Sequence, residues 1–506
     1  MTPPAELVAL GSLNQMNVQL ERVPWTPQLY RVMAGLMVSL FVAAMDATVV
    51  GTALPTIARD LGSFQLYPWI VAGYLITATT TVPLWGRLAD LHGRRRVLLV
   101  GIVVFIIASA LCATSPSMVW LIAFRTLQGI GAGCIQPVVF TILGDIFPLK
   151  QRAPLSGLFS SMWAIAAIIG PALGAVFVST IGWRWIFTIN LPLGLVALAL
   201  VWGYKERRPE KAGARGLDLR GSLLLTAGVV LLLVGLGAGS QSATPNWLFV
   251  VAAVVLLALF ARVEWVSANP TVPLDLLRHR VIGPAIAVGA LMGTVMFGVT
   301  TYIPLWVQEV QGGSPFDAGA AVGAMSIGWP VVSALAGFFM VRIGYQRLVV
   351  AGTLALLAGT LMLAIGSPGR GIVWTAAASL VIGAGMGAIA APLLIVIQNI
   401  VDWSRRGAAT ALNQFSRTIG GAVGVSLMGV LLQRYVNSAK DPLGARTQLQ
   451  AGLHADFVVL VVLAGLMLAI AIAILVVARR AERDKETSRT SPPTLRATSP
   501  QAGRTN

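Results

Sequence analysis

The stretch GRLADLHGRRRVLLVG, residues 86–101, decides how the chain is built. It ends one long apolar segment, places four arginines and one carboxylate in a tight loop, and begins a second apolar segment at once. A degenerate copy begins at Gly337, with glycine and arginine recurring in register. The matching positions are Gly86 with Gly337, Gly93 with Gly344, Arg96 with Arg347 and Gly101 with Gly352. A basic loop between apolar segments that occurs twice indicates a duplicated membrane unit.

The composition agrees with a membrane protein that crosses the bilayer many times. Apolar residues make up 56% and charged residues 11% of the 506 positions, against roughly 45–50% and about 25% in soluble domains. If the N-terminus lies inside, cytoplasmic loops and tails hold 28 of the 36 basic residues, and outside loops hold six. This bias follows the positive-inside rule. We therefore expect both termini on the cytoplasmic side of the plasma (inner) membrane, the lipid bilayer as the contact of the basic residues, and no nucleic-acid partner.

Fourteen apolar segments are long enough to cross roughly 30 Å of hydrocarbon as helices, and we number them spans 1 to 14. They lie at about residues 31–55, 68–88, 96–114, 117–143, 154–180, 184–204, 220–239, 246–267, 283–309, 317–341, 347–366, 371–400, 405–434 and 455–479. The predicted fold class is an all-α membrane protein with two pseudo-symmetric six-helix bundles and two extra central spans.

The same pattern divides the chain into five parts. They are a cytoplasmic tail 1–30, an N-terminal bundle 31–204, cytoplasmic loops with an inserted helix pair 205–282, a C-terminal bundle 283–480 and a disordered cytoplasmic tail 481–506.

Two charged residues lie at matching depths in spans 1 and 4. At 1.5 Å per residue, Asp46 is about 22 Å along from Arg31, and Arg125 is about 12 Å in from Ser117. A carboxylate at that depth is costly unless it is paired, protonated or facing water. One interpretation is a buried ion pair that clamps the two spans. The other, which we favour, is a titrating carboxylate with a functional role.

Three further polar residues are candidates for a substrate cavity. Arg417 lies near the midplane in span 13, where a charge needs a cavity or a partner. Glu309 lies near the outer end of span 9, where an exposed rim position fits equally well. With Gln128 of span 4, these residues form the predicted cavity set.

Glycine and proline mark close packing. Gly170, Pro171 and Gly174 fall near the middle of span 5, so we expect this helix to bend and pack tightly there. Three alternating glycines in span 4 do not follow a strand, which favours helix packing over nucleotide binding. The sequence has no P-loop, no metal-ligand cluster and no nucleophile–base pair. We therefore expect no cofactor or metal, and no enzymatic activity.

Five motifs in order give the chain a family resemblance. They are DATVVGTALP in span 1, GRLADLHGRRR after span 2, LIAFRTLQGIGAG in span 4, GPALGA in span 5 and GWRWIFTINLPLG before span 6. Over residues 31–480 the chain resembles the major facilitator superfamily, and within it the fourteen-span drug:proton antiporters, the multidrug resistance permeases. The resemblance implies two six-helix bundles that rock around a central cavity by alternating access.

The resemblance also implies residue roles. Asp46 and Arg125 would take part in proton coupling, and Gly170 with Pro171 would form the bend associated with antiporters. Asp90 and Arg94 would belong to a cytoplasmic latch. For the latch, we expect Asp90 to lie against the N-terminus of span 13. Arg94 or Arg95 would reach Asp145 at the inner end of span 4.

The predicted function is proton-coupled export of amphipathic or cationic small molecules, driven by the proton gradient. An alternative is a dedicated exporter of one endogenous lipid, pigment or antibiotic. A third hypothesis, a membrane sensor or scaffold that does not transport, gains nothing from the charges in spans 1, 4 and 13. We expect a monomer, because one chain contains both halves of the cavity, and whether a periplasmic adaptor joins it is left open.

Overall fold

Helices account for the regular structure of the chain. The computed structural model describes residues 23–147, 149–204, 219–236, 245–267, 274–401, 406–437 and 442–490. Within those ranges there is no β-strand. Twelve of the described helices are long and apolar enough to cross a membrane. An all-helical protein that crosses the membrane many times is therefore confirmed.

The N-terminal half begins with the longest of its helices, which carries Asp46. Its helices are α1 (Pro27–Leu61), α2 (Tyr67–Thr80), α3 (Val82–His92), α4 (Arg94–Ala113), α5 (Met118–Ile146), α6 (Leu149–Thr180), α7 (Trp185–Thr188) and α8 (Asn190–Trp202). We call the end of the molecule at which α1 ends and α2 begins the outer end, because the predicted topology places it outside.

A central pair and a C-terminal half complete the chain. The central helices are α9 (Leu219–Gly235) and α10 (Trp247–Val266). The C-terminal half comprises α11 (Ile282–Leu305) with a π-helical turn (Trp306–Val310), α12 (Pro315–Ile343), α13 (Tyr345–Ala364), α14 (Gly371–Ile400), α15 (Arg406–Val436) and α16 (Pro442–Thr490). The last helix continues into the predicted C-terminal tail. The remainder of that tail and most of the N-terminal tail lie outside the described residues.

The difference between fourteen predicted spans and twelve long helices has two local causes. Predicted span 2 is interrupted at Thr81, where α2 ends and α3 begins with Pro83 in its first turn. Proline has no backbone N–H and has φ fixed near the helical value, so it favours the start of a new helix. In predicted span 7, the apolar helix Leu223–Gly235 is shorter than the other spans.

The duplicated basic loops adopt the same backbone conformation. Gly93 separates α3 from α4 with φ of 90°, and Gly344 separates α12 from α13 with φ of 82°. Residues with a side chain avoid this region, and glycine enters it freely. The sequence repeat is therefore also a structural repeat. In both copies a single glycine turn connects two helices.

Small residues bring the helices of each half together in the same way. A Cβ atom on Gly131 of α5 would lie 2.9 Å from the carbonyl oxygen of Gly101 in α4. In the C-terminal half, a Cβ on Gly385 of α14 would lie 2.7 Å from the carbonyl oxygen of Gly352 in α13. Only a missing side chain permits such an approach of two backbones. The alternating glycines therefore serve helix packing, as the sequence indicated.

The two halves meet at the outer end. Tyr67 Oη donates a hydrogen bond to the Thr301 carbonyl oxygen at 2.7 Å. A Cβ on Gly51 of α1 would lie 2.7 Å from the Thr300 oxygen of α11, and one on Gly319 of α12 would lie 2.8 Å from the Pro171 oxygen of α6. Contacts this close leave no path between the helices that make them, and we call this conformation outer-closed.

Gly293 gives a direct test of this packing. A Cβ on Gly293 of α11 would overlap the backbone oxygen of Arg417 in α15, whereas one on Gly465 of α16 would meet nothing within 4 Å. Overpacking of this kind costs about 1–3 kcal/mol. We expect Gly293→Ala to lower the Tm of the detergent-solubilised protein by several degrees, and Gly465→Ala to leave it unchanged within error. Equal Tm values for the two variants would contradict the packing described.

Candidate functional site

Asp46 lies at the centre of a buried polar cluster inside the N-terminal half. Its side chain is fully buried on α1. The carboxylate accepts three hydrogen bonds, from Arg125 Nη1 to Oδ2 at 2.6 Å, from Gln128 Nε2 to Oδ1 at 3.0 Å and from Asn190 Nδ2 to Oδ1 at 2.8 Å. The donors come from α5 and α8, so three helices meet at one carboxylate.

Arg125 supplies the positive charge of the cluster and is itself almost completely buried. Its Nη1 atom also lies 2.6 Å from Gln128 Oε1, and Nε donates to the Ile70 carbonyl oxygen at 3.5 Å. The guanidinium carbon lies 4.1 Å from the centre of the Tyr74 ring and 5.7 Å from that of Phe187. Aromatic faces on an arginine add cation–π attraction, which is strongest where water is absent.

Sequence reasoning missed three members of this environment, Asn190, Ser109 and Tyr74. Ser109 of α4 accepts hydrogen bonds from Gln128 at 2.5 Å and from Asn190 at 3.1 Å. Asn190 carried a signal, because an amide side chain near the start of an apolar span needs a partner inside the protein. A serine and a tyrosine among apolar residues carry no comparable signal. We refer to Asp46, Ser109, Arg125, Gln128 and Asn190 as the Asp46 cluster.

The cluster is balanced in charge and nearly saturated in hydrogen bonds. One carboxylate faces one guanidinium, and the Asn190 carbonyl oxygen is the member atom left without a partner among the described residues. A proton added to Asp46 would cancel its charge and convert an acceptor into a donor. Arg125 would then be a buried charge without a counter-charge, which is unfavourable. Protonation of Asp46 therefore changes the energy of the interface among α1, α5 and α8.

Gln128 was predicted to line a substrate cavity, and the structure places it inside the Asp46 cluster with no exposed surface. Its role toward a substrate stays a prediction.

Within the described ranges, no group of three or more His, Cys, Asp or Glu side chains could hold a metal ion.

The predicted bend residues pack α6 against α1 beside Asp46. A Cβ on Gly170 would overlap Thr48 Oγ1, and one on Gly174 would overlap Thr52 Oγ1. Thr48 Oγ1 donates a hydrogen bond to the Ala166 carbonyl oxygen at 3.0 Å. Pro171 lies between the two glycines, and its carbonyl oxygen meets α12. These residues thus link the neighbourhood of Asp46 to the C-terminal half, while a bend role stays a prediction.

The residues of the predicted latch lie at the inner end. Arg94 Nη1 lies 2.5 Å from Asp145 Oδ2, and Arg95 bonds to the Trp202 carbonyl oxygen. The backbone of Asp90 lies in α3, but its side chain and residues 402–405 before α15 are outside the described residues. The contact proposed for Asp90 therefore stays a prediction.

Arg417 and Glu309 belong to the C-terminal half. The Arg417 guanidinium bonds to Gln414 Oε1, and its central carbon lies 5.6 Å from the centre of the Trp329 ring. In the described part of the chain, no carboxylate lies within ion-pair distance of Arg417. Glu309 Oε1 lies 3.3 Å from Arg59 Nε, so this pair joins the two halves at the outer rim.

Comparisons with known proteins agree with this architecture. The family model described as Major Facilitator Superfamily matches residues 36–425. The chain is 34% identical over 403 residues to the multidrug transporter protein MdtP of Bacillus subtilis, covering 79% of this chain and 74% of that protein. It is 32% identical over 423 residues to the efflux pump dotC of Dothistroma septosporum, covering 81% and 73%.

Solved structures show the same fold. A bacterial homologue of the human lysosomal transporter Spinster, in an inward-facing and unoccupied conformation, superposes with a TM-score of 0.63 over 89% of this chain and 98% of its own. Because the two sequences are only 16% identical, this likeness concerns the fold alone.

A double-mutant cycle tests whether Asn190 acts on Asp46. Asn190→Ala removes a hydrogen bond to a charged group, so we expect it to reduce the free energy of unfolding by about 1.5–3 kcal/mol. In an Asp46→Asn background the same change should cost less, with an interaction energy of about 0.5–3 kcal/mol. Thermal or denaturant unfolding in detergent measures both.

The matched control is Asn246→Ala, which removes an asparagine that caps α10 far from the cluster. Its effect should add to that of Asp46→Asn within about 0.5 kcal/mol. Full additivity for Asn190→Ala as well would contradict the geometry of the cluster.

Proposed function

Since the chain belongs to the Major Facilitator Superfamily, we propose that it is a proton-coupled exporter of amphipathic or cationic small molecules. The family inferred from the five motifs is confirmed, and the protein is a multi-pass membrane transporter and not an enzyme. Proton coupling and the substrate class are our proposal. The observation that carries it is the buried Asp46 carboxylate, held by Arg125, Gln128 and Asn190 from two other helices.

In this proposal Asp46 alternates between two states. Ionised, it keeps α1, α5 and α8 together through its hydrogen bonds. Protonated, it no longer compensates the charge of Arg125, so water or a different helix arrangement must stabilise the guanidinium. A proton taken up outside and released inside would drive the exchange for a substrate moving outward.

A contiguous set of contacts connects this switch to the interface between the halves. Thr48 lies on α1 two residues after Asp46 and bonds to Ala166 of α6. Pro171 of the same helix meets Gly319 of α12, across the interface. We infer that a shift of α1 relative to α6 changes the fit at the outer end and so favours its opening or closing.

We further propose membership in the fourteen-span drug:proton antiporter branch, with both termini in the cytoplasm of the plasma membrane. In this proposal the α2–α3 pair and the apolar helix of α9 are the two further crossings, in addition to the twelve long helices. The Arg94–Asp145 ion pair supports a latch at the inner end, to which Asp90 would contribute. Each chain contains both halves, so a monomer suffices.

Transport into everted membrane vesicles tests the central proposal. We expect a lipophilic cationic dye to be taken up in response to a proton gradient by the wild type, and uptake to fall to the empty-vector level with a protonophore or with Asp46→Asn. The matched control is Asp275→Asn, a change at an exposed acid on the connection before α11, which should retain uptake. Proton-driven uptake by Asp46→Asn at normal folded amounts would remove Asp46 from the mechanism.

Arg417 favours a second candidate, a dedicated exporter of an acidic product. Arginine does not lose its proton inside proteins, and the described part of the chain offers this guanidinium only the Gln414 amide and the Trp329 ring. A carboxylate or phosphate on the substrate would complete the pair. An endogenous lipid, pigment or antibiotic that carries such a group fits this candidate.

Substitution of Arg417 distinguishes the two candidates. If the substrate is acidic, Arg417→Gln should reduce its export by about tenfold or more, because a charge-assisted hydrogen bond contributes roughly 1.5–3 kcal/mol. Arg417→Lys should keep part of it. Arg370→Gln is the matched control, since Arg370 lies 4.4 Å from the Trp374 ring at the exposed outer end. Unchanged export of acidic compounds by Arg417→Gln would exclude this candidate and leave the cationic substrate class.

A further inference from the structure

A second acid of the membrane region, Asp456 of α16, has an environment opposite to that of Asp46. The buried face of α16 includes Leu453, Asp456, Phe457 and Leu460, and it continues at helical spacing through Ala464, Met467 and Ala471. Asp456 is fully buried within this apolar stripe. Neither of its carboxyl oxygens has a hydrogen-bond partner among the described residues.

Four elements pack against α16, namely α11, the π-helical turn, α13 and α15. The charged run of α16 from residue 479 to 489 lies more than 20 residues after Asp456, at the inner end. Of the other titratable residues, Tyr302 of α11 lies one turn before Trp306, whose ring centre is 5.3 Å from that of Phe457, the neighbour of Asp456. The others act elsewhere: Glu309 pairs with Arg59, Arg446 bonds to Val310, and His454 and Arg434 are exposed. Tyr345 and Arg347 begin α13 at the inner end, Arg406 begins α15 there, Arg417 lies against Trp329, and Tyr435 is near the outer end of α15. No Lys, Arg or His of the described residues lies within ion-pair distance of the Asp456 carboxyl group.

These surroundings decide the protonation state of the acid. An ionised carboxylate removed from water without a donor or a counter-charge is strongly unfavourable, and such a group takes up a proton instead. In the outer-closed conformation, Asp456 therefore carries a proton. The buried carboxylate of Asp46 is instead stabilised by one guanidinium and two amides.

The burial of Asp456 is connected to the closure of the outer end through Tyr302. Tyr302 Oη donates to the Val425 carbonyl oxygen at 2.6 Å, and its ring centre lies 6.1 Å from that of Tyr67 in the N-terminal half. Tyr67 in turn bonds to Thr301, the neighbour of Tyr302. When the halves separate at this end, Tyr67 leaves, and the face of Tyr302 that it covered meets water. Gly298 and Trp306, one turn before and one turn after Tyr302, pack against Leu460 and Phe457 on the same buried face as Asp456, so water at Tyr302 would enter the contact between α11 and α16 that buries Asp456.

We propose that Asp456 is a second proton-binding site, located in the C-terminal half, which must hold a proton for the outer end to close and which exchanges that proton with the outside when the outer end opens. The inference rests on the alternating-access exporter proposed above, but not on the role given there to Asp46. Opening of the outer end exposes the carboxyl to water, where its ionised form is stable. Closing expels the water and requires the neutral form. A lower pH outside therefore favours the outer-closed conformation.

The experiment measures the conformation directly and needs no substrate. Spin labels at Thr114→Cys and Ser367→Cys, two exposed positions on opposite halves of the outer end, report its opening through double electron–electron resonance in nanodiscs. The native cysteines Cys112 and Cys134 are buried. Distance distributions are recorded from acid to alkaline pH for the wild type and for Asp456→Asn, Asp456→Glu and Asp46→Asn.

In the wild type we expect the ratio of closed to open populations to rise as pH falls, by up to about tenfold per pH unit for one linked proton. Asp456→Asn imitates the neutral acid, so it should hold the outer end closed and remove this dependence. Asp456→Glu should keep it. Asp46→Asn removes any contribution of the Asp46 cluster, and the pH dependence that it retains should be lost when Asp456→Asn is added. A wild type without pH dependence, or an Asp456→Asn protein with the wild-type profile, overturns the proposal.

Two further measurements keep the interpretation unambiguous. Asp456→Ala removes the acid without adding an amide, and it is judged by the same criterion if Asp456→Asn does not fold. Dye uptake into everted vesicles tests the exporter proposal by itself. A pH-dependent conformational change that Asp456→Asn abolishes, in a wild type that exports none of the dyes, would support the proton site and reject the substrate class.

Discussion

The interior of the bilayer offers no water to a charged side chain, so each charge in the membrane region has to be neutralised by the protein, by a proton or by a ligand. Asp46 shows this constraint most clearly. Its carboxylate accepts hydrogen bonds from Arg125 and Gln128 of α5 and from Asn190 of α8, and the two amides also bond to Ser109 of α4. One acid thus fixes the relative positions of four helices. A change in the protonation of Asp46 alters the hydrogen bonds that hold all four helices, because each donor then has a different acceptor.

The helices can surround such an acid because their backbones approach closely elsewhere. Glycines pair α4 with α5 and, in the second half, α13 with α14, where no side chain intervenes. Lipid tails are as apolar as leucine, so burial of apolar surface contributes little to helix association in a membrane, and close contact has to supply the attraction. The same principle operates between the halves at Gly51 and Gly319. In the alternating-access cycle proposed above, the contacts between the halves would form and separate repeatedly, and small residues would allow this without rotamer changes.

The sequence predicts how deep a residue lies along its helix. It does not predict how the helices are arranged beside one another or which faces meet. Depth follows from 1.5 Å per residue, which is why Asp46 and Arg125 could be matched. The contact of Asn190 with Asp46 depends on which faces of α1 and α8 meet, and a single sequence does not carry that information. Hydropathy measures side chains only and takes no account of the missing backbone N–H of proline. The break at Thr81 was therefore missed, although Pro83 stands in the sequence. Asp456 was overlooked because the apolar run begins at 455, whereas α16 begins at Pro442, so the acid lies well inside a helix.

The two halves deal with charge in opposite ways, although they share the same glycine turn and the same close helix contacts. The N-terminal half places its acid and its arginine in contact, so its net buried charge is zero in the ionised state. The C-terminal half keeps Arg417 on α15 and Asp456 on α16 apart, with no hydrogen bond or ion pair between them. Arginine cannot give up its proton, so its charge calls for an external anion or for water. An aspartate can be neutralised by a proton alone. A half with these two groups apart can respond separately to a ligand and to a proton, whereas the half that pairs them responds to protonation as a unit.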